Sequence, residues 1–152
     1  MKFSELIATF GAHYGMDDLV VSDDNTTGFM VDHRAMTLQL LPESETVLAA
    51  VELGEASEAA TANLLLLKAN QTLFALDGLA LGVRDETEHY CLFDRIDISN
   101  LDFEGFDARL ARLLTRAGEW GAFLDAFVPL ATAADGHVED EEHVPDHHRI
   151  HV

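Results

Sequence analysis

Cysteine and long apolar runs are scarce in this chain, and each shortage excludes a class of protein. Cys91 is the only cysteine among 152 residues, so no disulfide can form within the chain, which suits a reducing cytoplasm. No apolar run approaches the ~20 residues that span a bilayer. Residues 1–5 (MKFSE) lack the basic region and apolar block of a signal peptide. These features predict a cytoplasmic protein.

Basic residues are also few, because nine stand against 28 acidic ones and give a formal net charge of −19. Nucleic-acid binding draws its affinity from Lys and Arg side chains that neutralise phosphates. Anionic membrane surfaces attract the same side chains. We therefore expect neither nucleic acid nor a membrane as partner. The charge favours a basic or amphiphilic polypeptide, but it also keeps a protein soluble and so names no ligand.

Motifs of common enzyme classes are missing as well. The chain has no P-loop, no Gly-x-Gly-x-x-Gly, no Gly-x-Ser-x-Gly and no His-Glu-x-x-His. His89 lies two residues from Cys91 on the same side of a predicted strand, which is the only hint of a Cys–His pair. A structural cysteine is the interpretation we favour. We expect no enzyme activity, no catalytic residue and no cofactor.

The pattern of apolar residues predicts an α+β domain with the element order α-β-β-β-α-β-β-α, in which helices pack on an antiparallel sheet. Helical spacing runs from Phe3 to Tyr14. The predicted strands span residues 28–32, 36–41, 46–53, 78–84 and 88–97. Ser57 is a candidate N-cap of the second helix. Asp102 is the corresponding candidate for the last helix, which we expect to end at Pro129.

The composition changes near the C-terminal end to acidic residues and histidines with few apolar groups. Such a segment has too little apolar surface to offset the entropy of ordering. We therefore predict a domain at residues 1–131 and a flexible acidic, histidine-rich tail at 132–152. The tail histidines are His137, His143, His147, His148 and His151. They are able to bind zinc or nickel weakly, but a flexible segment offers no fixed supporting groups, and we predict no metal site.

Four consecutive leucines, Leu64 to Leu67, lie in the predicted second helix. A helix with one buried face needs apolar residues only at i, i+3 and i+4, so these four cannot all face one core. The excess predicts a homodimer, although at least half of the candidate leucines should pack on the sheet of their own chain. The predicted dimer-interface residues are Leu64, Leu65, Leu67, Leu79 and Leu81.

The leucine-rich helix with Asn70, the strand from Gly78 to Val83 and the last helix with Trp120 together resemble the Tir chaperone (CesT-like) family. These proteins are the class I chaperones of type III secretion. The resemblance covers roughly residues 1–130, in element order, length, acidity and apolar placement. It implies a small acidic homodimer that binds the N-terminal segment of a secreted effector. The segment is held extended without ATP and stays soluble and export-competent.

An extended ligand can pair its backbone with a sheet edge, or place apolar side chains in grooves between sheet and helix. The candidate effector-binding residues are Leu6, Phe10, Phe29, Val31, Leu38 and Leu40. The alternative for each of them is a place in the core of a single chain. Two other functions stay open, namely a regulatory or assembly factor on the same fold that binds a folded partner, and a metal-responsive binder that uses the histidine-rich tail.

Overall fold

The computed structural model describes residues 1–138 and confirms the α+β class and the predicted order of elements. The helices are α1 (Phe3–Tyr14), α2 (Ala60–Asp77) and α3 (Phe103–Val138). The strands are β1 (Thr26–Val31), β2 (Arg34–Leu40), β3 (Thr46–Glu55), β4 (Ala80–Arg84) and β5 (His89–Asp97). They form one antiparallel sheet in the order β1-β2-β3-β5-β4. The two edge strands are therefore β1 and β4.

One face of the sheet carries the core. Alternate residues of β3, namely Val47, Ala49 and Val51, are fully buried, as the predicted alternation requires. They belong to one apolar cluster with fully buried side chains of α3, including Phe106 and Leu110. The helices thus cover this face, and side chains that point to it are withdrawn from solvent.

Of the two predicted helix N-caps, one is confirmed and the other is wrong. Asp102 caps α3 as predicted, because its Oδ1 accepts a hydrogen bond of 2.9 Å from the Gly105 N–H. The prediction that Ser57 caps α2 is wrong, since α2 begins only at Ala60. The Ser57 N–H donates to the Tyr90 hydroxyl at 3.0 Å. The backbone of Ser57 is therefore hydrogen-bonded to β5, and the residue lies just before the helix.

The prediction that Pro129 ends α3 is wrong, because the helix continues through it to Val138. A proline inside a helix removes one backbone hydrogen bond. Contacts from the first turn of α2 hold the part of α3 that follows Pro129, because the Thr61 N–H and hydroxyl both donate to the Asp135 carboxylate. The predicted domain boundary at residue 131 falls within this helix. Residues 139–152 and the side chains of the tail histidines lie outside the described part of the chain.

A buried ion pair fixes α3 to the sheet. Asp94 on β5 points to the core face and is only 1% exposed. Its carboxylate accepts two hydrogen bonds from Arg109, at 2.6 and 3.1 Å. Arg112 lies 3.6 Å away and adds a second positive charge. A buried carboxylate needs such partners, because its removal from water is costly.

Candidate functional site

A largely apolar groove lies between α1, β1 and α3. Its volume is about 260 Å³, and we call it the α1–β1 groove. Its lining residues are Phe10, Tyr14, Met16, Phe29, Met30, Val31, Asp107, Leu110, Ala111 and Leu114. The Phe10 ring lies 4.7 Å from Tyr14 and 5.3 Å from Phe29, between ring centroids. The groove therefore presents a mainly aromatic and aliphatic wall to an incoming side chain.

One polar contact lies in this groove. The Tyr14 hydroxyl donates a hydrogen bond of 2.8 Å to the Asp107 Oδ1. This bond raises the pKa of Tyr14 above its ordinary value, because deprotonation would break it and place two negative charges side by side. At neutral pH the phenol is therefore a fixed donor to Asp107.

The edge of β1 lies beside the groove and has free backbone groups. Asn25 accepts a hydrogen bond of 3.0 Å from the Leu40 N–H. Because inward and outward groups alternate along an antiparallel strand, Thr27, Phe29 and Val31 bond to β2. The N–H and C=O groups of Gly28 and Met30 then point outward. This edge can accept a further strand.

The other edge of the sheet is already occupied. The Asn70 side chain of α2 donates to the Leu81 carbonyl at 3.0 Å and accepts from the Leu81 N–H at 2.8 Å. One amide thus takes both outward groups of Leu81, the second residue of β4. A strand could not pair with β4 at this residue without displacing Asn70.

A second apolar surface runs along α2 and β4. Leu66 is buried, whereas Leu64, Leu65 and Leu67 are exposed, the last by 68%. Leu67 also borders an open cavity of about 210 Å³ that continues to Leu81 and Val83. Phe74 lies two turns beyond Leu67 on the same side of α2 and is exposed. We call the set of Leu64, Leu67, Phe74, Leu81 and Val83 the α2–β4 surface.

The residues predicted for the dimer interface divide between surface and core. Leu64, Leu65 and Leu67 are accessible, and Leu81 is half-buried at the cavity. Leu79 is fully buried within its own chain. It directly precedes β4, so its side chain joins the core cluster. Phe74 and Val83 were not predicted, because sequence alone did not show that α2 lies against the edge strand.

The predicted effector-binding residues divide in the same way. Phe29 and Val31 line the α1–β1 groove, and Phe10 forms part of its wall. Leu40 is half-buried outside that lining. Leu6 and Leu38 are fully buried in the core and are inaccessible to a ligand, because α1 and α3 cover that face of the sheet. Tyr14, Met30 and Leu114 were missed, since only the tertiary fold brings them together.

The hint of a Cys–His pair is not supported by the geometry. The His89 Nδ1 lies 2.9 Å from the Glu52 Oε2. Cys91 is fully buried, and burial raises the pKa of its thiol to about 11. A reactive cysteine needs the opposite shift, so the structural interpretation of Cys91 is favoured.

We expect the Cys91 thiol to resist Ellman's reagent in the native protein at pH 8. A pKa of about 11 leaves roughly 200-fold less thiolate than in an ordinary cysteine, and burial slows access further. Absorbance at 412 nm should therefore stay near baseline for minutes. It should rise by one thiol per chain when guanidinium unfolds the protein. Rapid reaction of the native protein would contradict a buried structural cysteine.

Neither a metal-binding cluster nor a membrane-spanning helix is found among the described residues. Among the side chains described, those of residues 1–136, no three of His, Cys, Asp or Glu come together as metal ligands. None of the helices in the same part of the chain has the length and hydrophobicity that crossing a bilayer requires.

Comparisons with known proteins agree with this geometry. The model of the Tir chaperone protein (CesT) family matches residues 5–121. Among curated protein sequences, none matches the chain. Among solved structures, the crystal structure of the ExsC–ExsE complex contains a chain that is 26% identical, with a TM-score of 0.71. The alignment covers 82% of this chain and 97% of that one.

Two further structures share the fold. The HopA1–SchA chaperone–effector complex gives 21% identity and a TM-score of 0.66, over 79% of this chain and 93% of the other. The Yersinia pestis type III secretion chaperone SycH, in complex with a stable fragment of YscM2, gives 17% identity and a TM-score of 0.59. That alignment covers 78% of this chain and 98% of the other.

The matched region extends from α1 into α3 and includes both the α1–β1 groove and the α2–β4 surface. It confirms the resemblance that the leucine-rich helix and the following strand predicted. The chain belongs to the Tir chaperone protein (CesT) family.

Proposed function

We propose that this protein is a type III secretion chaperone. It binds the N-terminal segment of a secreted effector in extended form and keeps that segment soluble and export-competent. It acts in the cytoplasm as a homodimer and performs no catalysis. The observation that carries the proposal is the open α1–β1 groove beside an unpaired strand edge, in a chain of the chaperone family.

The groove and the edge suit an extended ligand better than a folded one. The outward backbone groups of Gly28 and Met30 can pair with a strand, while alternate side chains of that strand reach the groove. Each apolar side chain that is fully desolvated contributes on the order of 1.5–3 kcal/mol gross. Ordering an unfolded segment offsets much of this gain. Several anchors are needed, and a dimer supplies two copies of the groove.

The α2–β4 surface supports the homodimer. Leu67 and Phe74 expose about two-thirds of their surface to solvent, beside the apolar cavity against β4. A second copy would cover these side chains through the same residues of its own α2 and β4, as a two-fold interface requires. Leu64, Leu65 and Leu81 remain candidate contacts. Leu79 would support the interface only from within the core.

We expect a Phe29→Asp substitution to weaken effector binding at least tenfold. The new carboxylate would lie in an apolar groove, and the aromatic contact with Phe10 would be lost. The partner is first purified with the protein from its host, and binding of its N-terminal segment is then measured by calorimetry. Val31→Asp tests the same wall independently. Circular dichroism verifies that each variant is folded.

The matched control is Leu130→Asp, which adds the same charge at an exposed residue outside both the α1–β1 groove and the β1 edge. It should bind as the wild type does. Equal binding by the folded groove variants would contradict the site. Limited proteolysis separates the proposal from its rival, because a bound segment that is protected but non-globular supports a chaperone. A compact folded partner would instead support the regulatory or assembly factor.

A further inference from the structure

A single charged side chain lies in the wall of the α1–β1 groove. Asp107 on α3 is accompanied there by aromatic, aliphatic and methionine side chains. The Tyr14 hydroxyl is its hydrogen-bond donor. The ion pairs found among residues 1–138 do not include Asp107. The groove thus holds a negative charge without a cation from the described part of the chain.

The arginines that follow Asp107 on α3 are engaged elsewhere. Arg109 and Arg112 face Asp94 on β5. Arg116 pairs with Asp77 at the end of α2 and with Glu119 on its own helix. The three arginines of α3 thus bind other carboxylates. None of them pairs with Asp107 in the groove.

The Asp107 carboxylate has capacity for a further partner. Two carboxylate oxygens offer about four lone-pair sites, and Tyr14 uses one of them on Oδ1. The Tyr14–Asp107 contact is solvent-exposed, so a cation placed there gains the modest attraction of a surface ion pair. An anion at the same place would be repelled. The charge therefore discriminates between ligands that have the same apolar content.

We propose that Asp107 is a specificity-determining residue that selects extended segments with a Lys or Arg two positions from an apolar anchor. This inference rests on the proposed function of the groove. In an extended strand, residues i and i+2 point to the same side and lie roughly 6.5 Å apart. Phe10, Phe29 and Asp107 line the same groove, so when the anchor packs against the two rings, a long side chain two positions away can extend to the carboxylate.

The net charge of −19 attracts every basic segment at long range but does not fix where its cation lies. Asp107 adds that positional requirement. It acts at one distance from the anchor, and it disfavours Asp or Glu at the same place, which is how specificity is usually obtained.

A phage-displayed library of random dodecapeptides, selected against the full chain, tests the proposal. The wild type should enrich Lys or Arg two positions from an apolar anchor about fivefold over the library. Asp107→Asn preserves the shape and an oxygen acceptor for Tyr14 but removes the charge, so the enrichment should fall to the library level. Asp85→Asn removes one charge in the turn between β4 and β5 and should keep the wild-type preference.

Synthetic peptide pairs that differ only by Lys or Gln at that position give the quantitative readout. Fluorescence polarisation should show about fivefold tighter binding of the Lys peptide to the wild type and to Asp85→Asn, and equal binding to Asp107→Asn. Equal Lys preference in all three proteins would overturn the role of Asp107 while leaving the groove as the site. Failure of every protein to enrich apolar anchors would overturn the proposed function, and this inference with it.

Discussion

Replacing Leu67 with aspartate should convert a dimer into a monomer. Leu67 is 68% exposed on the single chain and borders the apolar cavity against β4. In a two-fold interface the substitution acts twice, because it removes apolar burial from both copies and buries two unpaired carboxylates. We expect the dissociation constant to rise at least about a thousandfold, which corresponds to about 4 kcal/mol. Light scattering coupled to size-exclusion chromatography measures the change.

Val20→Asp is the matched control for the dimer, since Val20 is 72% exposed and lies in the segment between α1 and β1, outside the α2–β4 surface. That variant should remain a dimer. Thermal unfolding of Leu67→Asp at several protein concentrations shows whether the monomer is folded. A wild type that is monomeric at tens of micromolar would remove the case for the interface. A dimeric Leu67→Asp would move the interface away from the α2–β4 surface.

An Arg109→Ala substitution should cost about 3 kcal/mol of the free energy of unfolding. Asp94 is 1% exposed, and its two strongest hydrogen bonds come from Arg109. Without the Arg109 side chain, the buried Asp94 carboxylate loses the two hydrogen bonds that offset its desolvation cost. Arg112 stays nearby at 3.6 Å, which keeps the loss near the lower end of what is usual for a broken buried pair. Urea denaturation followed by circular dichroism gives the value.

Arg112→Ala is the internal comparison for this effect. The side chains of Arg109 and Arg112 are similarly exposed, at 39% and 42%, and both face Asp94. Only Arg109 donates hydrogen bonds to it within 3.5 Å, so Arg112→Ala should cost less than about 1 kcal/mol. Similar losses from the two variants would show that the Coulombic field, and not the hydrogen bonds, compensates the buried charge.

Local patterns were sufficient for the order of elements but not for their ends. The alternation at Val47, Ala49 and Val51 predicts a strand with one buried face, and the structure shows it. The rule that proline ends a helix failed at Pro129, because tertiary contacts hold the residues beyond it, namely the burial of Ala131 and the hydrogen bond from Thr61 to Asp135. Ser57 failed as a cap because Tyr90, which is remote in sequence, holds its backbone.

The candidate sites show the limit of sequence reasoning more sharply. The spacing of apolar residues on α1 identifies a buried face, but it does not separate Leu6, which is sealed in the core, from Phe10, which borders the groove. Asp107 meets Tyr14 across 93 positions of the chain, and nothing local to either residue marks the contact. Such pairs exist only once the topology is known.

The amide of Asn70 at the edge of β4 has a consequence for how this sheet meets other β-structure. Fibril growth by strand addition requires a sheet that receives a strand at one border and offers another at the opposite border. In this sheet the β4 edge is blocked at Leu81 by the Asn70 side chain of the same chain. A chaperone that binds an unfolded, aggregation-prone segment at the β1 edge can therefore take up that strand without starting an amyloid-like stack.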